Sequence, residues 1–200
     1  MNLKKWSYLF WTTTCIGGAI SLVIGLALQV FQGEMGNFRG PVDILLNVLQ
    51  LILSGCMISV YSQMGFFAYL TLNYIAIGLY KKGWPYVQVL LTVIALLDLM
   101  FLRMLLGNRP EGVRGGGYED IVLGLVVLVL AVAVSYWKVK ATNAKALIPT
   151  LFFMIAITTV ETLSALNIGN MATWFVYIPL AICNAYQILM LHRLVGTAKS

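Results

Sequence analysis

Ionisable side chains inside apolar segments are the first candidates for chemistry in this chain, because burying a charge is costly. Asp98 and Arg103 lie in one apolar run, and Glu161 lies in another. These residue types have two interpretations: an ion or proton site, or a structural clamp in which Arg103 neutralises a carboxylate between helices. The clamp is favoured, because the remaining polar residues are spread widely along the chain.

Other signatures of chemistry are weak. His192 is the single histidine and lies beside Arg193, where it is typical of an interfacial residue. Cys15, Cys56 and Cys183 each lie in an apolar run, which indicates small buried side chains and no disulfide framework or zinc site. The motifs HExxH and GxSxG are absent. We therefore predict no catalytic residue, no metal ligand and no cofactor.

The composition indicates a single integral membrane domain over residues 1–200. The chain has 200 residues, of which 60% are hydrophobic and 10% charged, with mean hydropathy +0.89. In soluble domains roughly a quarter of the residues are charged. This chain therefore has too few polar side chains to cover a surface in water. The net charge of +6 does not indicate nucleic acid, because the basic residues are scattered at segment ends.

The apolar segments predict an all-α, polytopic membrane protein with about six transmembrane helices. Each segment approaches the 20 or so residues that a span needs, and glycine-rich or charged loops separate most of them. The predicted spans are Trp6 to Phe31, Val42 to Ser62, Tyr86 to Leu106, Ile121 to Trp137, Leu147 to Leu166 and Met171 to Leu191.

The stretch from Val42 to Tyr80 decides the topology. It can hold one long helix, or two short helices that meet near Ser62, Gln63 and Gly65. We favour a single crossing as far as Ser62, which makes Gly65 to Tyr80 an extra interfacial or re-entrant helix after the second span. Two crossings would instead move every later loop to the other side of the membrane.

The distribution of lysine and arginine supports the single crossing, since cytoplasmic loops carry an excess of both. Both termini are then cytoplasmic. The cytoplasmic side holds Lys4, Lys5, Lys81, Lys82, Lys138, Lys140, Lys145, Arg193 and Lys199, and the outer side holds Arg39, Arg103, Arg109 and Arg114.

One block within the stretch from Val42 to Tyr80 resembles a known family. The residues SQMGFFAYLT, Ser62 to Thr71, together with the basic, Trp-containing start and Thr12 to Gly18, resemble the KinB-signalling pathway activation protein family (KbaA) of endospore-forming bacilli. The resemblance implies a non-enzymatic protein of the bacterial plasma membrane. It also implies that the chain activates the membrane sensor histidine kinase KinB, which feeds the sporulation phosphorelay. The resemblance implies no catalytic residues for this chain.

A kinase accessory needs a contact surface, and the aromatic face Phe66, Tyr69 and Asn73 is the candidate, because aromatic rings give contact area at low entropic cost. Small residues on the first two spans allow close helix approach, either within the bundle or with a partner. These residues are Gly17, Gly18, Ser21, Gly25, Ser54, Gly55 and Ser59.

The expected partners are the kinase and the lipid bilayer. The alternative function is a small transporter or channel using Asp98 and Glu161, and an intramembrane enzyme ranks last.

Overall fold

A computed structural model describes residues 3–33, 40–102, 118–166 and 170–196. Within these ranges the chain forms helices joined by short turns, in keeping with the predicted all-α class. The helices are α1 (Leu3–Gln32), α2 (Pro41–Tyr80), α3 (Trp84–Leu97), α4 (Tyr118–Ala141), α5 (Leu147–Phe152), α6 (Thr158–Leu166) and α7 (Asn170–Gly196). Asp98–Leu102 continues α3 as a π-helical turn, and Phe153–Ile157 is a π-helical turn that joins α5 to α6.

Five stretches are long and apolar enough to cross a membrane. They are Leu3–Gln32, Pro41–Phe101, Ile121–Ala141, Ala144–Thr162 and Ala172–Leu194. The second stretch contains both α2 and α3. Many large apolar side chains on these helices face outward, among them Tyr74, which is 82% exposed, and Met57, which is 75% exposed. Such outward apolar surfaces are what a bilayer requires of its proteins.

Helix α2 is continuous over 40 residues, so the predicted separate helix after Ser62 is wrong. Its start follows from Pro41 and Asp43 in the first turn, where a missing N–H and a carboxylate both suit the helix N-terminus. Ser62 and Gln63 do not interrupt the helix, because both side chains are buried and hydrogen-bonded to neighbouring helices. Gly65 remains helical and serves a close helix contact.

The chain reverses direction at the 3₁₀ turn Lys81–Gly83. Lys81 adopts a left-handed φ of 47°, which ends α2. Trp84 Nε1 then donates to Asn73 Oδ1 at 2.8 Å, and Gln88 Nε2 donates to the same oxygen at 3.5 Å. Residues 73 and 88 would be about 22 Å apart in one straight helix. Helix α3 therefore folds back along the end of α2.

Small residues hold α1 against α2. A Cβ atom on Gly17 would lie 2.6 Å from Ser59 Cβ and 2.8 Å from the carbonyl oxygen of Gly55. A Cβ atom on Gly55 would lie 2.5 Å from the carbonyl oxygen of Gly17. Ser21 is buried in the same seam. These small residues therefore pack within the bundle, one of the two roles considered for them.

Aromatic rings fill the contact between the second half of α2 and the π-helical turn Phe153–Ile157. The Phe66 and Phe153 ring centroids are 5.6 Å apart, and those of Tyr69 and Phe153 are 4.9 Å apart. Trp84 at the start of α3 packs against Phe152, with centroids 6.1 Å apart. These ring contacts join α2 and α3 to α5.

Candidate functional site

A buried polar network connects α2, α6 and α7 at the centre of the bundle. Gln187 Nε2 donates to Ser62 Oγ at 2.7 Å, and Ser62 Oγ donates to Asn184 Oδ1 at 2.6 Å. Asn184 Nδ2 donates to Glu161 Oε2 at 2.7 Å and to Thr158 Oγ1 at 3.0 Å. All five residues are buried. The hydrogen bonds run from Gln187 through Ser62 to Asn184, whose amide group then donates to both Glu161 and Thr158.

A second polar contact lies next to this network, between α2 and α1. Gln63 Nε2 donates to Thr14 Oγ1 at 3.2 Å, to Ser59 Oγ at 3.3 Å and to the carbonyl oxygen of Phe10 at 3.3 Å. The buried network and the Gln63 hydrogen bonds start from adjacent residues of α2, Ser62 and Gln63. Because they lie about 100° apart around the helix, they fix α2 against two neighbouring helices at once.

Gly65 allows Glu161 to approach the backbone of α2. Any Cβ atom at position 65 would overlap the Glu161 carboxyl group. Glu161 is only 5% exposed, and its Oε1 has no hydrogen-bond partner within the part of the chain that the structure describes. The π-helical turn Phe153–Ile157 ends just before Thr158 and Glu161, and such turns are frequent at functional sites.

A cavity of about 440 Å³ is lined in part by Glu161. Its walls are mostly apolar and come from one face of α2 and from the segment Ile157 to Glu161. The lining residues are Tyr61, Met64, Gly65, Ala68, Tyr69, Leu72, Ile157, Val160 and Glu161. Tyr61, Met64, Leu72 and Val160 are each exposed on the outer surface, so the cavity opens towards the surroundings of the helices.

The arrangement places one buried carboxyl group, Glu161, within hydrogen-bond reach of Asn184. Within the described ranges, no group of three or more His, Cys, Asp or Glu side chains is placed to hold a metal ion. The buried Ser62 hydroxyl in this network donates to the amide oxygen of Asn184 and not to a base.

Comparison with known proteins identifies the family. Residues 17–194 match the family model described as KbaA, KinB-signalling pathway activation in sporulation. The chain belongs to this family. It is also 31% identical over 190 residues to the KinB-signaling pathway activation protein of Bacillus subtilis (strain 168), covering 92% of this chain and 93% of that protein. No solved structure matches the chain. The resemblance noted from the Ser62 to Thr71 block is thus confirmed.

Of the three ionisable residues predicted to form an intramembrane cluster, the structure places Glu161 in the buried network. Asp98 begins the π-helical turn after α3 and is partly exposed. Arg103 lies outside the described residues. Helix α3 packs mainly on α5 and on the turn Phe153–Ile157. The partners that Glu161 does have, Asn184 and its neighbours, were not predicted from the sequence.

The aromatic face proposed for partner contact lies inside this family member's own bundle. Phe66 is 0% exposed and Tyr69 is 3% exposed. The Tyr69 hydroxyl donates to the carbonyl oxygen of Pro149 at 3.3 Å, and Asn73 accepts from Trp84. In the same segment Phe67, Tyr74 and Tyr80 are the exposed aromatic residues. Phe66 and Tyr69 therefore contact the protein's own helices.

Proposed function

We propose that this chain is a non-enzymatic integral membrane accessory protein that activates a sensor histidine kinase of the KinB type in the sporulation phosphorelay. The observation that carries the proposal is the family match over residues 17–194, which spans nearly the whole bundle. The apolar helices support a mechanism based on contacts between helices in the bilayer. The kinase and the lipid bilayer are then its partners.

The proposed membrane arrangement has six crossings with both termini in the cytoplasm of a bacterial cell. The reversal at Lys81–Gly83 supports this count, because α2 and α3 run in opposite directions and would each cross once. The lysine-rich turns then lie on the cytoplasmic side, as the positive-inside rule requires. Reporter fusions after Lys82 and after Ser200 should both report cytoplasm. An external signal at either position would contradict the arrangement.

The contact segment that we propose is Gly65 to Lys82, at the cytoplasmic end of α2. Its exposed residues Phe67, Tyr74 and Tyr80 offer aromatic area to a partner helix. Phe66, Tyr69 and Asn73 would act indirectly, because they hold this segment against the rest of the bundle.

Copurification tests the proposal. The tagged chain and a KinB-type kinase are co-expressed in membranes, cross-linked and extracted, and the kinase recovered on the tag is quantified. We expect enrichment over a control in which an unrelated multi-pass protein carries the tag at equal abundance. Substituting Tyr74 and Tyr80 by alanine should reduce the recovery without lowering abundance. Equal recovery with the unrelated protein would refute a direct contact.

The alternative function is a small transporter or channel that uses intramembrane carboxylates. The buried, hydrogen-bonded Glu161 is the observation in its favour, since polar networks in membranes often line ion pathways. Reconstituted proteoliposomes decide the matter. An ion flux that Glu161→Gln abolishes, in a protein that remains folded, would favour transport over the accessory role.

A further inference from the structure

Helix α2 continues well beyond the start of its neighbour α1. Gln29 of α1 exchanges hydrogen bonds with Asn47 of α2, and nearer the start of α1 Trp6 packs against Phe67, with ring centroids 4.9 Å apart. The two helices are therefore antiparallel. Continuing this register places the first residue of α1 beside about Leu72 of α2.

Two other helices of the bundle have an end at the same level. Helix α7 is also antiparallel to α1 and so runs parallel to α2. Its Asn184 lies beside Ser62, and it ends at Gly196, close to the level of Leu72. Helix α5 begins two residues before Pro149, whose carbonyl oxygen accepts from Tyr69. One end of α1, of α5 and of α7 therefore lies near a common plane.

The turn between α2 and α3 projects past this plane. Tyr80, the last residue of α2, lies eight positions after Leu72, which is roughly 12 Å along a helix. We call residues 74–86 the hairpin tip. The Tyr80 and Trp84 rings stack with centroids 6.2 Å apart, and the hydrogen bond from Trp84 to Asn73 closes the base of the tip. The tip is therefore an ordered projection.

Basic residues mark the common plane as a membrane surface. Lys4 lies in the first turn of α1, Lys140 in the last turn of α4, Lys145 just before α5 and Arg193 in the last turn of α7. Such residues lie at the headgroup level. The headgroup layer is about 5–8 Å thick on each side of the hydrocarbon core. A projection of roughly 12 Å therefore reaches through it into water.

The surface of the hairpin tip is apolar and positively charged. Tyr74 is 82% exposed, Leu79 is 71% exposed and Tyr86 is 80% exposed. Lys81 and Lys82 add two positive charges, and the sequence from residue 74 to residue 97 contains no aspartate or glutamate. Contiguous apolar side chains in water mark protein interaction sites. The complementary surface is an apolar cleft with an acidic rim.

We propose that the hairpin tip contacts the sensor kinase outside the bilayer, at an apolar cleft with an acidic rim in the cytoplasmic part of the kinase that adjoins the membrane. This inference rests on the proposed function and narrows its contact segment. It moves the contact to the far end of α2 and adds the start of α3. The partner meets the tip in water, so a protein surface and not the acyl chains of lipids covers Leu79.

Photocross-linking tests which molecule covers the tip. Benzoylphenylalanine is placed at position 79 of the full chain, which is co-expressed with a KinB-type kinase in membranes, and the adducts are mapped by mass spectrometry. Position 132 on α4, where Val132 is 53% exposed, is the matched control and should yield phospholipid adducts. We expect kinase peptides from next to the membrane at position 79. Phospholipid, a second copy of the chain or no adduct there overturns the proposal.

A charge at the tip separates this contact from the proposed function. Leu79→Asp should lower kinase recovery on the tagged chain about tenfold, because the charge would be buried in an apolar contact. Ala144→Asp adds the same charge at an exposed position before α5 and should leave recovery unchanged. Parental recovery with Leu79→Asp at normal abundance refutes the tip contact and leaves the proposed function standing. If the parent chain recovers no more kinase than the unrelated protein, both fail.

Discussion

The two halves of α2 pack by opposite means, although one continuous helix carries both. From Leu51 to Gln63, small residues bring α2 close to the backbone of α1. From Gly65 to Tyr80, large rings fill the space towards α5 and α3, and a cavity remains beside Glu161. In a bilayer, where burial of apolar surface between helices gains little, both solutions depend on close van der Waals contact.

This difference predicts different sensitivities. The first half has no room for added atoms, because the nearest neighbours of Gly17 and Gly55 include backbone carbonyl groups that cannot rotate away. The second half is filled by side chains, so removal of atoms should do most harm there. Three substitutions test this contrast, and each can be measured by SDS titration of purified protein in mixed micelles.

The largest effect is expected from Phe66→Ala. Phe66 is fully buried against Phe153, and truncating a buried phenylalanine costs about 3–5 kcal/mol. Tyr74→Ala is the matched control, because Tyr74 is 82% exposed on the same helix. If both variants lose equal stability, the second half of α2 does not form a core.

A smaller loss is expected from Gly55→Ala. The added methyl group would press on the carbonyl oxygen of Gly17, and overpacking of this kind costs about 1–3 kcal/mol. Gly78→Ala is the control, since a Cβ atom there meets nothing within 4 Å, and it should leave stability unchanged or raise it slightly. A neutral Gly55→Ala would show that α1 and α2 do not approach closely.

The smallest effect is expected from Asn73→Ala, which removes the acceptor shared by Trp84 and Gln88. Loss of these bonds should cost about 1 kcal/mol and loosen the fold-back of α3 on α2. Thr71→Ala, at an exposed position nearby, should change the free energy of unfolding by less than about 0.5 kcal/mol. A neutral Asn73→Ala would indicate that α3 is held by apolar contacts alone.

Much of the helical organisation was predictable from the sequence. Long apolar runs, and the charged or glycine-rich segments between most of them, predicted helices that the structure contains. One continuous helix from Val42 to Tyr80 was considered but not favoured, because Ser62, Gln63 and Gly65 were interpreted as a break between two helices. Their burial against other helices could not be known without the tertiary contacts.

The candidate site was predictable only in part. The charge on Glu161 marked it within an apolar run, but Ser62 and Asn184 are 122 positions apart and carry no local pattern that pairs them. Helical periodicity likewise grouped Phe66 and Tyr69 correctly on one face. It could not say whether that face meets a partner or the protein's own core, which depends on how α5 docks.

The central claim is that this family member activates a KinB-type kinase, and sporulation measures it most directly. The chain is expressed in a Bacillus subtilis strain that lacks its relative and whose sporulation depends on the KinB kinase. We predict that spore counts are restored when the kinase gene is present and remain low when it is deleted. Spore counts that stay low despite normal membrane abundance, or that recover without the kinase, would contradict the claim.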